Sequence, residues 1–166
     1  MIARHIVSAE RIRSELAAIE QVATRVQRAV DAVGGDLEDS DLYWDAIALN
    51  LHDFYTGLER ILSHIAAQVD DHLPEGGEWH RELLRQMAIP LPRIRPAVFS
   101  DATIQRLDEY LRFRHVVRHV YAFEFDPQRI RPLAEALAGD FAQVKGDLLV
   151  FIDYLKGLAD ADQIRD

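Results

Sequence analysis

Arg112, Arg114, His115, Arg118, His119 and Tyr121 fall within ten residues, inside the stretch Asp108–Asp126, DEYLRFRHVVRHVYAFEFD. Guanidinium beside imidazole is the equipment of metal-free phosphodiester chemistry. An imidazole titrating near neutrality takes a proton from a ribose 2′-hydroxyl or gives one to a leaving oxygen. A guanidinium offsets the charge that builds on the phosphorus oxygens. The competing reading keeps the same side chains in solvent, or in surface ion pairs with Asp108, Glu109 or Glu124.

A helix is expected to carry this stretch, capped by Ser100 or Asp101 and running on to Asp126-Pro127. Each residue of an ideal helix turns by about 100°. Relative to Arg114, that puts Arg118 at roughly 40°, His115 at about 100°, His119 at about 140° and Tyr121 at about −20°. Phe113, Val116, Val117 and Val120 take the complementary arc and would face inward. Such a wheel sets Tyr121 beside Arg114 but holds Arg114 and His119 apart, awkward for one compact site and workable where two copies face each other.

The other elements are also helical. Ile12, Leu16, Ile19, Ala23, Val26, Val30 and Val33 step by threes and fours after Ser8, a candidate N-cap, and Gly34-Gly35 ends that helix. An acidic connection leads to Ser40 or Asp41 as the next cap. The second helix, from about Leu42 to Val69, carries Ile47, Leu51, Phe54, Leu58, Ile61 and Ile65 on one face. Asn50, Tyr55 and Glu59 lie at the border of that stripe, either as ordinary border residues or facing the same cleft as the arginines and histidines. A short helix from about Glu78 to Met87 follows. IPLPRIRPAVF then reads as a stiff, extended connection with Arg93 and Arg95 exposed. The last helix begins at Pro127 and runs through Ile130, Leu137, Phe141, Leu148 and Leu155, with Gly139 and Gly146 as points of kinking or close packing. No stretch alternates like a strand. The expectation is one all-α domain over 1–166, an antiparallel four-helix bundle with an extra short helix.

Composition narrows the chemistry. With no cysteine among 166 residues, disulfides and zinc–thiolate sites are out. A net charge of −9 disfavours nonspecific binding to duplex nucleic acid but leaves room for a local cationic site. No apolar run approaches the roughly 20 residues of a membrane span. The N-terminus becomes charged too early for a secretory signal. A cytoplasmic protein without a membrane partner is expected. No Glu-x-x-His or His-Glu-x-x-His pattern supports a metal at His115 and His119, and neighbouring arginines would repel a cation, so no metal is expected. Walker, dinucleotide and nucleophile-elbow motifs are absent, and no cofactor is expected.

Arg114-His-Val-Val-Arg-His119-Val-Tyr121 fits the pattern Arg-x4-His-x-Tyr. It resembles the motif of HepT-like toxins in the HEPN superfamily, and NLHDFYTGLERIL, WHRELLRQM and EYLRFRHVVRHVYAF extend the likeness over most of the chain. The resemblance implies a metal-independent ribonuclease of a type II toxin–antitoxin pair, acting on RNA as a homodimer or higher oligomer through a composite site. It makes Arg114 the phosphate-stabilising residue and His119 the acid/base group. Tyr121 becomes the tyrosine that a cognate minimal nucleotidyltransferase antitoxin adenylylates to silence the toxin. His115 stands where many relatives carry a small polar residue. His115, Arg118 and Glu59 are supporting candidates. The alternative is a non-catalytic HEPN module that binds a nucleotidyltransferase or a nucleotide.

Overall fold

The computed structural model describes residues 2–33, 40–121 and 124–163. Among these residues five helices follow in order: α1 Ile2–Val33, α2 Ser40–Gln68, α3 Trp79–Gln86, α4 Asp101–Val117 and α5 Pro127–Gln163. Among the described residues there is no strand. α1 packs along α2 and α5, α4 meets both α2 and α5, and α3 is wedged against α2 and α4. The four long helices thus close a ring, with α3 as the extra short helix of the all-α bundle expected from the pattern.

Cross-helix pairs give the directions. Glu15 with Arg60 and Arg25 with Asn50 set α1 and α2 antiparallel. Glu20 with Lys145 and Glu10 with Lys156 do the same for α1 and α5, as Thr103 with Asp147 and Arg106 with Asp140 do for α4 and α5. Inside the ring, Phe54 packs edge-on against Tyr110 and Phe141, with ring centroids 5.2 and 6.4 Å apart. The Tyr110 hydroxyl donates to the Asp140 carboxylate at 2.7 Å, which satisfies the one polar atom that this buried ring brings inside. Gly57 lets α1 and α2 approach closely, because a Cβ there would lie 2.9 Å from Ile19 Cγ1. A Cβ at Gly139 or Gly146 would meet nothing within 4 Å, so close packing is not why α5 carries them.

Several boundaries depart from the sequence reading. α1 begins at Ile2, six residues before the candidate cap, and Ser8 is a buried residue within it. Nothing in IARHIV breaks a helix, so propagation continues upstream. Ser40 and Asp41 form the first turn of α2, where the Asp41 charge suits the helix dipole. The Gly34-Gly35 stop and the acidic connection at 36–39 lie outside the described residues. Ser100 does cap α4, its Oγ accepting from the Thr103 amide at 3.2 Å. Asp126 caps α5, its Oδ1 accepting from the Gln128 amide at 3.0 Å.

The proline-rich connection is a closed turn, not an extended strap. Leu91 and Arg95 exchange backbone hydrogen bonds at 2.9 Å, with Arg93 at φ 70° between them. Arg93 is exposed as expected, but Arg95 is buried. The Arg95 Nε and Nη2 donate to Asp70 at 2.5 and 2.7 Å, and its Nη1 and Nη2 donate to the carbonyls of Ile89, Pro96 and Gln86 at 3.0–3.1 Å. A bidentate guanidinium–carboxylate pair satisfies every donor only when fully enclosed by acceptors. That requirement pulls Arg95 inward and ties the end of α2 to the run from α3 to α4.

α4 also stops early, at Val117, whereas one continuous helix to Asp126 was expected. β-Branched Val116, Val117 and Val120 propagate helix poorly, and Val116 is 46% exposed, so past Phe113 little packing holds the helix together. Arg118 ends the helix, and the His119 amide donates to the Val116 carbonyl in a tighter turn. The inward stripe read from the wheel therefore holds only in part: Phe113 packs on the core, Val117 and Val120 are half-buried, and Val116 is exposed. Residues 122–123, within the same expected helix, lie outside the described residues.

Candidate active site

Arg114 occupies the last turn of α4, where the backbone still has helical geometry and the side chain reaches toward α2. Its Nη2 lies 3.5 Å from Glu59 Oε1, and the two side chains are only 12% and 9% exposed. The other oxygen of that carboxylate, Oε2, lies 2.5 Å from Nδ1 of His80, at the start of α3. A carboxylate only accepts, so His80 Nδ1 carries the hydrogen. The imidazole stacks on Trp79, centroids 3.6 Å apart and planes at 30°. One buried carboxylate therefore holds an arginine and a histidine from two other helices. It pairs two groups that sequence spacing does not relate.

Below this pair, α2 presents more polar groups at one-turn steps. Tyr55 is fully buried, and its hydroxyl has no partner among the described residues. Burial, with the Glu59 charge adding to it, pushes the phenol far above its ordinary value, so it stays neutral. His52 Nδ1 is likewise buried without a partner. Burial first, then the charge on Arg114, holds this imidazole below its usual range and in the neutral form. Arg114 Nε is a third unpartnered buried atom here. Asn50, the other border residue, donates to the Ala46 carbonyl and accepts from Arg25, away from Arg114.

Above Glu59 a cleft of about 500 Å³ opens between the start of α3 and the end of α4. His80, Arg114, His115, Arg118 and His119 all line it. His119 lies past the helix end and turns back, its Nδ1 2.6 Å from the His115 carbonyl. A carbonyl also only accepts, so Nδ1 donates, and in the neutral ring Nε2 keeps its lone pair. The His115 and His119 rings lie 4.4 Å apart. This contact also caps the carbonyl end of α4. The end of the helix at Val117 removes the separation that the wheel put between Arg114 and His119, since both now border one cleft of one chain.

Tyr121 takes a different position from the one expected. It does not line the cleft beside Arg114 but lies beyond the helix, 72% exposed, its amide donating to Glu124 at 3.1 Å. The surface ion-pair reading holds for Arg112, which pairs with Asp108 at 2.6 Å. Arg81, at the rim, also reaches Asp108, at 3.9 Å. Arg114 instead pairs with Glu59 in the interior. His80 and His52 were missed in the sequence because no spacing ties them to the motif. A larger cavity, about 540 Å³, lies on the other side of Glu59 between α1 and α2 and is not lined by Arg114 or His119. Among the described residues no three His, Asp or Glu side chains gather as a metal site would require. No helix there is long and apolar enough to cross a membrane.

An all-α ring that collects arginine and histidine at one helix end is consistent with a HEPN-type module. The chain belongs to the HepT-like family of that group: the family model, described as HepT-like protein, matches residues 46–155, a span that holds Glu59, His80, Arg114, His119 and Tyr121. No curated protein and no solved structure matches the chain.

Proposed function

We propose that this protein is the ribonuclease toxin of a HEPN/nucleotidyltransferase toxin–antitoxin pair, cleaving RNA without a metal. The observation that carries the reading is the single cleft lined by Arg114, His115, Arg118 and His119 on a chain of net charge −9. A local cationic pocket on an acidic body suits a flexible single-stranded phosphodiester better than a duplex surface. Arg114 and Arg118 hold the phosphate, and Nε2 of His119 takes the proton from the ribose 2′-hydroxyl. The bundle works as a homodimer whose two motif ends face a shared RNA, with exposed Val116 at the cleft supplying apolar contact. A monomer in sedimentation, at concentrations where RNA is cleaved, removes the dimer.

Tyr121 is the control point. Its ring is exposed two residues past His119, where a nucleotidyltransferase reaches it. An adenylyl group there sets an anion at the edge of the cleft, in competition with RNA phosphate. Incubation with ATP and the cognate nucleotidyltransferase is expected to add AMP to Tyr121 and end cleavage, with Tyr121→Phe escaping both effects; mass spectrometry beside a cleavage assay reads it.

The decisive experiment uses the purified chain, unmodified at Tyr121, on RNA in excess EDTA. Cleavage to 2′,3′-cyclic phosphate ends is expected. One observation favours a second reading: Glu59 already offsets the charge of Arg114, as suits a non-catalytic module that binds its nucleotidyltransferase partner or a nucleotide. RNA left intact by a chain that binds the partner tightly decides for that reading.

A further inference from the structure

Cleavage by proton transfer needs two groups, a base for the 2′-hydroxyl and an acid for the leaving 5′-oxygen. His119 supplies one. We infer that His80, oriented by Glu59, is the general acid of this cleft, an assignment that rests on the ribonuclease reading. Three observations lead to it. His80 lines the same cleft as Arg114 and His119. Its Nδ1 is 2.5 Å from a carboxylate that is itself buried, so Nε2 is the nitrogen left for substrate. Trp79 stacks on the ring and fixes its plane.

The two histidines differ in what backs them. His119 donates Nδ1–H to a neutral carbonyl, which fixes its orientation without supplying a countercharge. His80 donates to a carboxylate, which balances the charge of an imidazolium. The first arrangement suits a base and the second a proton donor. Around His80 stand Glu59 on α2, Glu78 and Arg81 at the start of α3, and the Arg114 guanidinium, with His115, Arg118 and His119 across the cleft. Glu59 is the carboxylate in contact with the ring, and Arg81 is drawn off toward Glu78 and Asp108. Glu59 does not line the cleft and acts as a positioning residue.

In the reaction the 2′-oxygen attacks phosphorus while its proton passes to Nε2 of His119. The P–O5′ bond breaks as Nε2 of His80 gives its proton to the departing oxygen. The products are a 2′,3′-cyclic phosphate and a 5′-hydroxyl; His119 ends protonated and His80 neutral, and exchange with water resets both.

The test compares wild type with His80→Ala and His80→Gln on two substrates, ordinary RNA and RNA with sulfur in place of the bridging 5′-oxygen. A thiolate leaves without an acid. On ordinary RNA both variants are expected to lose about 10²-fold or more in kcat. They also lose the alkaline limb of the pH–rate profile, because an acid is active only below its own pKa. On the sulfur substrate they are expected to approach the wild-type rate, with a circular-dichroism melt confirming the fold. Equal losses on both substrates, or a wild-type rate with both limbs intact, overturns the role of His80 alone. A wild type that cleaves neither substrate overturns the ribonuclease reading and this assignment with it.

Discussion

Replacing Arg95 by alanine is expected to remove about 3–5 kcal/mol of stability, the figure for breaking one side of a buried ion pair. Both side chains of the Arg95–Asp70 pair are 0% exposed, so no water enters to take the place of the lost guanidinium. The variant strands the Asp70 carboxylate, left with the Gln86 side-chain amide at 2.6 Å, together with the carbonyls of Ile89, Pro96 and Gln86. Asp70→Asn is expected to be similarly harmful by leaving the guanidinium without its countercharge. The double change Arg95→Met with Asp70→Leu is expected to cost much less than the sum of the singles, because desolvation of both charges goes with the pair. Urea denaturation of the four proteins measures all of this, and an Arg95→Ala loss under about 1 kcal/mol rejects the argument. The effect reaches the cleft as well. The 90–99 segment connects the helix of His80 to the helix of Arg114, so loosening it separates the two.

That Arg95 was expected on the surface shows where one-dimensional reading stops. Three prolines correctly ruled out a helix, but they say nothing of whether a chain runs straight or closes on itself. Closure here depends on Asp70, a residue in a turn that the pattern linked to nothing. The long helices were legible because each buries a stripe of period 3.6, as with Ile12, Leu16 and Ile19, and periodicity is a local property. The cap that held, Ser100, is local as well. The site was legible only in part. Arg114 and His119 stood out because arginine and histidine share a short stretch, yet their relation was read from a helix that ends at Val117. Helix length at that end is decided by packing beyond Phe113, which the sequence does not display. Glu59 was visible as a border carboxylate. Its contacts with Arg114 and His80 arise only when three helices meet.

Arg114→Ala is expected to lower RNA cleavage by about 10²–10³-fold, the usual loss when one donor to a developing oxyanion is removed. It should also destabilise the fold by about 1–3 kcal/mol, because Glu59 is left buried with only His80 beside it. The two losses have different causes and can be separated. Adding Glu59→Gln to Arg114→Ala replaces the stranded carboxylate with a neutral amide, and most of the stability should return. Cleavage should stay well below that of Glu59→Gln alone, since no cation has been restored to the phosphate. The Glu59 contact is compatible with phosphate binding, because a guanidinium has five N–H donors, more than one carboxylate occupies. A purely structural Arg114 would behave differently: once Glu59→Gln has removed the carboxylate that both Arg114 and His80 contact, Arg114→Ala would cost no further cleavage. Thermal melts and cleavage rates on wild type, Arg114→Ala, Glu59→Gln and the double variant decide between the two roles, and a double variant that cleaves as fast as Glu59→Gln alone removes Arg114 from the chemistry.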